Sequence, residues 1–422
     1  MRKVLLSMFM ILLLITVAVI AGCLKDEDNG DKSKSPTYSV INEGMNAYVN
    51  SSNEFTFEMY KQLIDSNKNV FFSPYSISTA LGMVYEGARG QTSAEMGEVL
   101  DLPEDDETRR EMIQAVQSLL NKEGTSYELS VANAYWLREG ANLKEEYRDA
   151  IESYYLAFGQ HLDFASDPAG SVETINNWVE DKTNGKIKDL LSPNDVDALT
   201  YLVLTNAIYF KSDWKYQFDS NATEERMFYK TGGEGIMTDM MHMCDEEKRL
   251  NYAANSDVQL LQLPYKDEEL SMYVMLPREN DIASMEPILD HEYLSNLKDD
   301  ISAEYVDLYL PKFKFEQKYM LKEKLSAMGM PTAFGGGADF SGITSEADLF
   351  ISKVIHQSFV EVNEEGTEAA AATAVVMKEF GGGGSSSPEP IVFRADHPFL
   401  FFIEHKETGQ ILFMGKVENP SV

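Results

Sequence analysis

The chain has 422 residues, 44% of them hydrophobic and 11% aromatic, so material for a packed core is present and global disorder is excluded. Its 36 basic residues face 69 acidic ones, and the net charge of −33 disfavours nucleic acid and anionic polysaccharide as partners. Length alone leaves one large domain and two average ones equally open.

Residues 1–22 read as a signal peptide: Arg2 and Lys3 precede an apolar run from Val4 to Val19, closed by Ile20-Ala21-Gly22-Cys23. Small residues before a cysteine point to lipoprotein processing, with cleavage before Cys23, a lipid on its thiol and residues 23–39 as a polar tether. An uncleaved signal anchor is the competing reading, since the run approaches the minimum span of a bilayer; ordinary secretion is the third. All three place the remaining domain, residues 40–422, outside the cytoplasm, either anchored at the extracellular face of the membrane or secreted. Cys244 is then the domain's one cysteine, and no internal disulfide can form. Met241-His242-Met243-Cys244 offers two soft ligands, too few for a closed metal site, and Cys244 reads as a small buried hydrophobe.

In chain order, helical spacing covers Asn46 to Ile64, Ser76 to Tyr85, Thr92 to Leu100, Glu107 to Leu120 and Glu145 to Tyr155, with Ser73-Pro74 opening the second helix. Tyr127 to Leu137 and Tyr201 to Phe210 read as strands. Val258 to Leu263 and Leu270 to Leu276 flank a hairpin loop, Tyr305 to Phe315 reads as a strand leading into a helix from Lys318 to Met328, and Phe350 to Val362 as a further strand. The lysines at 312, 314, 318, 322 and 324 suggest a polyanion site less than a strand with one solvated face, since Phe313 and Phe315 alternate with them. Helices predominate early and strands late without strict alternation, which predicts an α+β fold. Gly381 to Ser387 cannot be an interdomain linker, because the short apolar runs beyond it need the rest of the protein to pack against.

After the strand ending at Val362 comes Glu364-Glu365-Gly366-Thr367-Glu368, then Ala369-Ala370-Ala371-Ala372-Thr373, and on to Lys378-Glu379-Phe380. The small residues Thr367, Ala369, Ala371 and Thr373 alternate, so they share one face of a strand able to slip between strands already packed on a core. Four alanines in a row are a poor choice for a static strand. Enzyme motifs are missing. The six histidines form no His-Glu-x-x-His, and no Gly-x-Ser-x-Gly elbow, Walker loop or dinucleotide fingerprint occurs.

That hinge, the preceding Ile355-His356-Gln357-Ser358-Phe359-Val360-Glu361-Val362-Asn363 and the ending Phe413-Met414-Gly415-Lys416-Val417-Glu418-Asn419-Pro420 resemble a serpin, a serine protease inhibitor, of the prokaryotic type. Asn69 to Leu81, Ile175 to Ile187, and Thr205 to Lys211 with Trp214 match other parts of the family in order, so the resemblance spans roughly residues 40 to 420. It implies three β-sheets, about nine helices and an exposed reactive-centre loop at about 364–390. It also implies a suicide-substrate mechanism rather than an enzyme: a serine protease, with cysteine proteases as the second target class, attacks the loop, and the freed arm inserts into the main sheet and drags the acyl-enzyme along. Counting from Gly366 as the family does sets the reactive bond at Phe380–Gly381, with Glu379 and Lys378 as alternatives, and an aromatic there suits a chymotrypsin-like protease. By the same resemblance, Ser73, Ser76, Asn206 and His356 form a polar cluster under the main sheet and Trp214 marks where the loop first enters. A monomer without cofactor or metal is implied, and replacing Thr367 by Arg is expected to turn inhibitor into substrate. The alternative is a non-inhibitory surface lipoprotein on the same scaffold, with a binding or structural role.

Overall fold

Among residues 36–65, 67–121, 125–367 and 389–421, which the computed structural model describes, fifteen strands form two hydrogen-bonded sheets. The chain divides into two units, 1–43 and 44–422. Of the first, residues 36–43 are described, as helix; the second holds everything that follows. Among the described residues no helix is long and apolar enough to cross a membrane, and the expected signal peptide and Cys23 lie outside them, as do residues 368–388 with Phe380 and Gly381.

Among the described residues nine α-helices are present: α1 (Pro36–Leu63), α2 (Pro74–Tyr85), α3 (Gly90–Leu100), α4 (Asp106–Leu120), α5 (Glu145–Tyr154), α6 (Pro168–Lys182), α7 (Ile282–Met285), α8 (His291–Asp299) and α9 (Lys322–Met328). The α2 start follows its sequence closely. Ser73 is the N-cap, its hydroxyl accepts from the Ser76 amide, and Pro74 fills the first turn, where no amide donor is needed. The larger sheet joins β1 (Val70–Phe72), β15 (Gln410–Val417), β14 (Phe399–His405), β8 (Leu270–Pro277), β7 (Val258–Pro264), β6 (Gly235–Ala254), β9 (Ser302–Pro311) and β13 (Ile391–Arg394), with β5 (Glu224–Tyr229) on β6. It has two arms. One carries β5 on the first half of β6 and β13 on the second half of β9, the other runs through β7 to β1, and the β6–β9 register shifts between Cys244 and Arg249 where they meet. With the six-stranded sheet these arms make up the three sheets expected, two of them continuous through β6.

The six-stranded sheet runs β10 (Phe313–Met320), β11 (Ile355–Val362), β12 (Gly366–Thr367), β4 (Leu202–Asp213), β2 (Glu128–Arg138) and β3 (Phe158–Leu162). Phe71 joins the two sheets, stacked on Phe401 and Phe413 of the larger and edge-on to Phe315 of the smaller.

Several expectations are corrected here. The single strand Tyr305 to Phe315 is two strands in different sheets, β9 and β10, separated at Pro311-Lys312, because proline cannot continue a ladder as a donor. Strand β10 runs to Met320, so the next helix starts at Lys322 rather than Lys318. Residues 350–354 are irregular, and β11 begins at Ile355. The longest strand, β6, has no clear two-residue alternation around its shift and goes unread in the sequence. Cys244 is exposed, with Sγ 3.3 Å from the Tyr305 hydroxyl, and is not a core residue. Phe313 and Phe315 are buried as the alternation predicts, and Lys314 on the other face pairs with Glu361 at 3.0 Å.

Candidate functional site: a cleft between two strands

Strands β4 and β11 lie side by side in the six-stranded sheet, and among the described residues only the two-residue β12 bridges them. Gly366 pairs with Asp213 and Thr367 with Ser212 on one side, and Thr367 pairs with Val362 on the other, antiparallel throughout. The chain reaches this slot by reversing at Asn363. Its side-chain oxygen accepts from the amides of Glu365 (3.0 Å) and Gly366 (3.3 Å), and its own amide donates to the Gly366 carbonyl.

Gly366 is dictated by space rather than by backbone angle. A Cβ there would overlap the Ser212 carbonyl oxygen and lie 2.8 Å from Asp213 Cα, backbone atoms that cannot step aside. Thr367 is buried, and its Oγ1 lies 2.6 Å from the Tyr265 hydroxyl. Tyr265 stacks on Trp214 at 4.6 Å between centroids. Trp214 in turn donates from Nε1 to the Asn363 carbonyl (3.0 Å) and from its amide to the Glu365 carbonyl (2.8 Å). Glu364 accepts from Thr223 Oγ1 at 2.8 Å and pairs with Lys312 at 3.1 Å. Burial alone would raise its pKa, but these hydrogen bonds and the lysine charge win and hold it below the usual carboxylate range. The first four hinge residues, Glu364 to Thr367, are thus fixed by at least five side chains; Glu368, Ala369, Ala370, Ala371, Ala372 and Thr373 lie outside the described residues.

Just beyond Thr367 the two strands enclose a small cavity of about 20 Å³, lined by Ile208 and Phe210 of β4, Phe359 and Val360 of β11, and Phe71 and Phe413 below. Residues 183–187, at the end of α6, also border it, through Thr183, Lys186 and Ile187. The segment after them is tied to the sheet by Gln357 Nε2 and Lys318 Nζ, which donate to the carbonyls of Lys188 (3.0 Å) and Asp189 (2.9 Å).

Deeper in the same gap sit the four polar residues picked out in the sequence. The Ser73 amide donates to His356 Nε2 at 3.0 Å, and Ser73 Oγ donates to the Leu412 carbonyl at 2.7 Å. Ser76 Oγ donates to Asn206 Oδ1, Asn206 Nδ2 to Asn133 Oδ1 at 2.5 Å, and Asn133 Nδ2 to the Tyr155 carbonyl at 2.6 Å. His356 and Asn206 therefore stand on opposite sides of the gap, on β11 and β4, and both bond to the α2 start behind it. Burial drives the His356 pKa down to about 3, which keeps the ring neutral and free to accept from Ser73.

Sequence reasoning missed Tyr265, Asn133, Thr223 and Lys312, all of which touch the hinge or the cluster. None lies in the matched motifs, and only Lys312 carried a signal, as one of a row of charges. Four of the five lysines of that row are spent on internal partners: Lys312 on Glu364, Lys314 on Glu361, Lys318 on the Asp189 carbonyl and Lys324 on the Gln62 carbonyl. No group of acidic residues, histidines and cysteines able to hold a metal ion occurs among the described residues.

Comparison with known proteins bears on this site. The family model described as "Serpin (serine protease inhibitor)" matches residues 50–420. An uncharacterized serpin-like protein of Thermococcus kodakarensis is 41% identical, covering 97% of this chain and 98% of its own, and Serpin B6 of Macaca fascicularis is 44% identical, covering 89% and 100%. Among solved structures, a loop-inserted form of a cleaved ovalbumin mutant superposes with a TM-score of 0.79 at 30% identity, covering 89% of this chain and all of that one. A slot that already grips the start of a loop, on a fold shared over nearly the whole length with these proteins, settles the kinship: the chain belongs to the serpin family, whose members are mostly protease inhibitors rather than enzymes.

Proposed function

We propose that the protein is an irreversible suicide-substrate inhibitor of serine proteases, chymotrypsin-like ones by preference, cleaved between Phe380 and Gly381. The observation that carries this reading is β12, two hinge residues already paired with β4 and β11 at the head of a gap that no other described strand bridges. If the β12 register continued downward, Thr373 would come level with Asn206 on β4 and with His356 on β11, so a polar residue would meet the polar cluster midway. Thr367 faces the interior, and by strand alternation Ala369, Ala371 and Thr373 would follow it there, each small enough to pass.

Magnitudes support the mechanism. About 15 inserted residues at roughly 3.3 Å each carry a tethered enzyme near 50 Å. At ~1 kcal/mol net per hydrogen bond, a new central strand yields on the order of 10 kcal/mol, comparable with the roughly 5–15 kcal/mol that hold a protease together. Distortion of the enzyme's active site, and with it a trapped acyl-enzyme, follows. Anchoring through a lipid on Cys23, with the domain at the extracellular face of the membrane, completes the proposal on the strength of the leader sequence.

Incubation of residues 36–422 with chymotrypsin, read by denaturing gel and mass spectrometry, tests it. An SDS-stable complex and a released fragment starting at Gly381 are expected. Quantitative cleavage without complex, and without a gain in thermal stability of the cleaved protein, sinks the inhibitory reading.

A further inference from the structure

Beside the hinge anchor lies a pocket of about 80 Å³ whose charge runs against the rest of this acidic chain. Lys215, Arg249 and Lys406 line it, with Glu268 as its one carboxylate. Each cation is placed by the fold. Lys215 follows Trp214, and its amide donates to the Pro264 carbonyl. Arg249 stands where the β6 register shifts, an irregularity of the kind that re-aims a side chain, and rests over the Tyr305 ring at 5.5 Å. Lys406 is held to the β7–β8 hairpin by its amide, which donates to the Glu269 carbonyl at 2.8 Å.

The floor is a relay across three strands. Asn251 Nδ2 donates to Gln262 Oε1 at 2.7 Å, and Gln262 Nε2 donates to Ser271 Oγ at 3.0 Å. Ser271 is 2% exposed; its Oγ accepts from Gln262, and among the described residues no bond donated by its hydroxyl is seen, which leaves that proton for a ligand. Lys215 is paired with Glu268 at 2.8 Å, whereas Arg249 and Lys406 make no ion pair among the described residues. Glu268 itself adopts a left-handed backbone conformation, φ 59°, which glycine or asparagine would occupy more readily. The pocket therefore combines a buried hydroxyl donor with two unpaired cations, and closes the third with a carboxylate on a strained residue.

We propose that this pocket binds a small tetrahedral oxyanion, phosphate or sulfate, held by Arg249, Lys406 and the Ser271 hydroxyl, with Glu268 as the internal anion that the ligand displaces from Lys215. A chloride ion can satisfy the charge, but it offers no separate oxygens for a guanidinium, an ammonium and a hydroxyl to share. The ligand is either the free ion or the end group of a phosphomonoester.

Titration calorimetry of the full chain in neutral detergent, with inorganic phosphate and with sulfate against chloride at matched ionic strength, tests the site. Saturable binding of one phosphate or sulfate per chain is expected, with none for chloride. Arg249→Gln and Lys406→Gln, both at exposed positions where folding is not at stake, should each weaken it roughly tenfold, the scale of one charge-assisted bond. Glu268→Gly should tighten it, by removing the competitor and relaxing the turn. Glycerol phosphate binding better than phosphate assigns an end group, and worse assigns the free ion; either keeps the site. No saturable heat with either anion, or affinity unchanged in both cation variants, overturns it. The protease assay above reads a different event, so the two proposals fail separately.

Discussion

The β4–β11 gap and the β8–β14–β15 centre of the larger sheet are both built of long neighbouring strands, yet they hold together by opposite means. Every residue of β8, β14 and β15 is buried, most are apolar, and the three strands pair along most of their length. Phe399 to Ile403 against Phe413 and Met414 interlock so that separation would expose a continuous apolar surface. Across the gap, by contrast, two residues of β12 are the only ladder among the described residues, and what lies behind is a set of hydrogen bonds from His356 and Asn206 to α2. Polar contacts can be exchanged one for another as strands part, and apolar interdigitation cannot. One sheet is thus fixed, and the other is the one that the proposed mechanism requires to accept a strand.

The largest expected effect breaks the gap's capacity to open. Thr367→Arg would put a charge at a site 3% exposed, beside Tyr265, so the hinge loses its first grip before any cleavage. Thr373→Arg leaves that grip alone and places the charge level with Asn206 and His356 once insertion is half complete. Both should convert the protein into a substrate, with SDS-stable complex reduced at least tenfold on a gel. The two should differ in the intact protein, where Thr367→Arg lowers the thermal midpoint and Thr373→Arg leaves it unchanged. Undiminished complex with Thr373→Arg would refute full insertion.

Next in size is a test of the fixed sheet. Phe401 packs on Phe71 at 5.7 Å and Phe313 at 5.2 Å, fully buried. Phe401→Ala should cost about 3–5 kcal/mol of stability, the usual toll of a large buried aromatic, read from the urea midpoint. The partition of cleaved and trapped protease by the molecules that remain folded should be unchanged, since this sheet does not part.

How much of this was legible in the sequence follows the same division. Helices with sharp starts, such as Ser73-Pro74, and strands with clean apolar runs, such as Val258 to Leu263, were read within a few residues because local chemistry decides them. Strands β9 and β10 were fused because Tyr305 to Phe315 is apolar-rich on both sides of Pro311, and nothing local says that the chain changes sheets there. For the site, Gly366 and Thr367 were visible as small residues, and the Gly366 constraint is a backbone contact with Ser212. That contact, like Tyr265 on Thr367 or Thr223 on Glu364, joins residues more than a hundred positions apart, and only the folded chain reveals it.

The smallest effect is a pH dependence that separates the two regions. His356 is held neutral by burial, with its folded pKa pushed down to about 3 against about 6.5 for an exposed histidine. Between those values the unfolded chain binds a proton that the folded one refuses, so stability is full above pH 6.5 and falls as pH drops toward 3. At roughly 1.4 kcal/mol per pH unit, this histidine alone should remove about 3 kcal/mol between pH 6.5 and pH 4. The many carboxylates of the chain add their own acid loss, so the reading is a difference. His356→Asn keeps an acceptor for the Ser73 amide but cannot titrate, and its urea midpoint should fall less than that of the natural protein between pH 7 and pH 4. Equal falls would mean that the ring is not buried neutral at the gap. A wider gap between the two curves for the uncleaved protein than for the cleaved one would mark the histidine as part of what insertion rearranges, while Phe401→Ala shifts both curves alike.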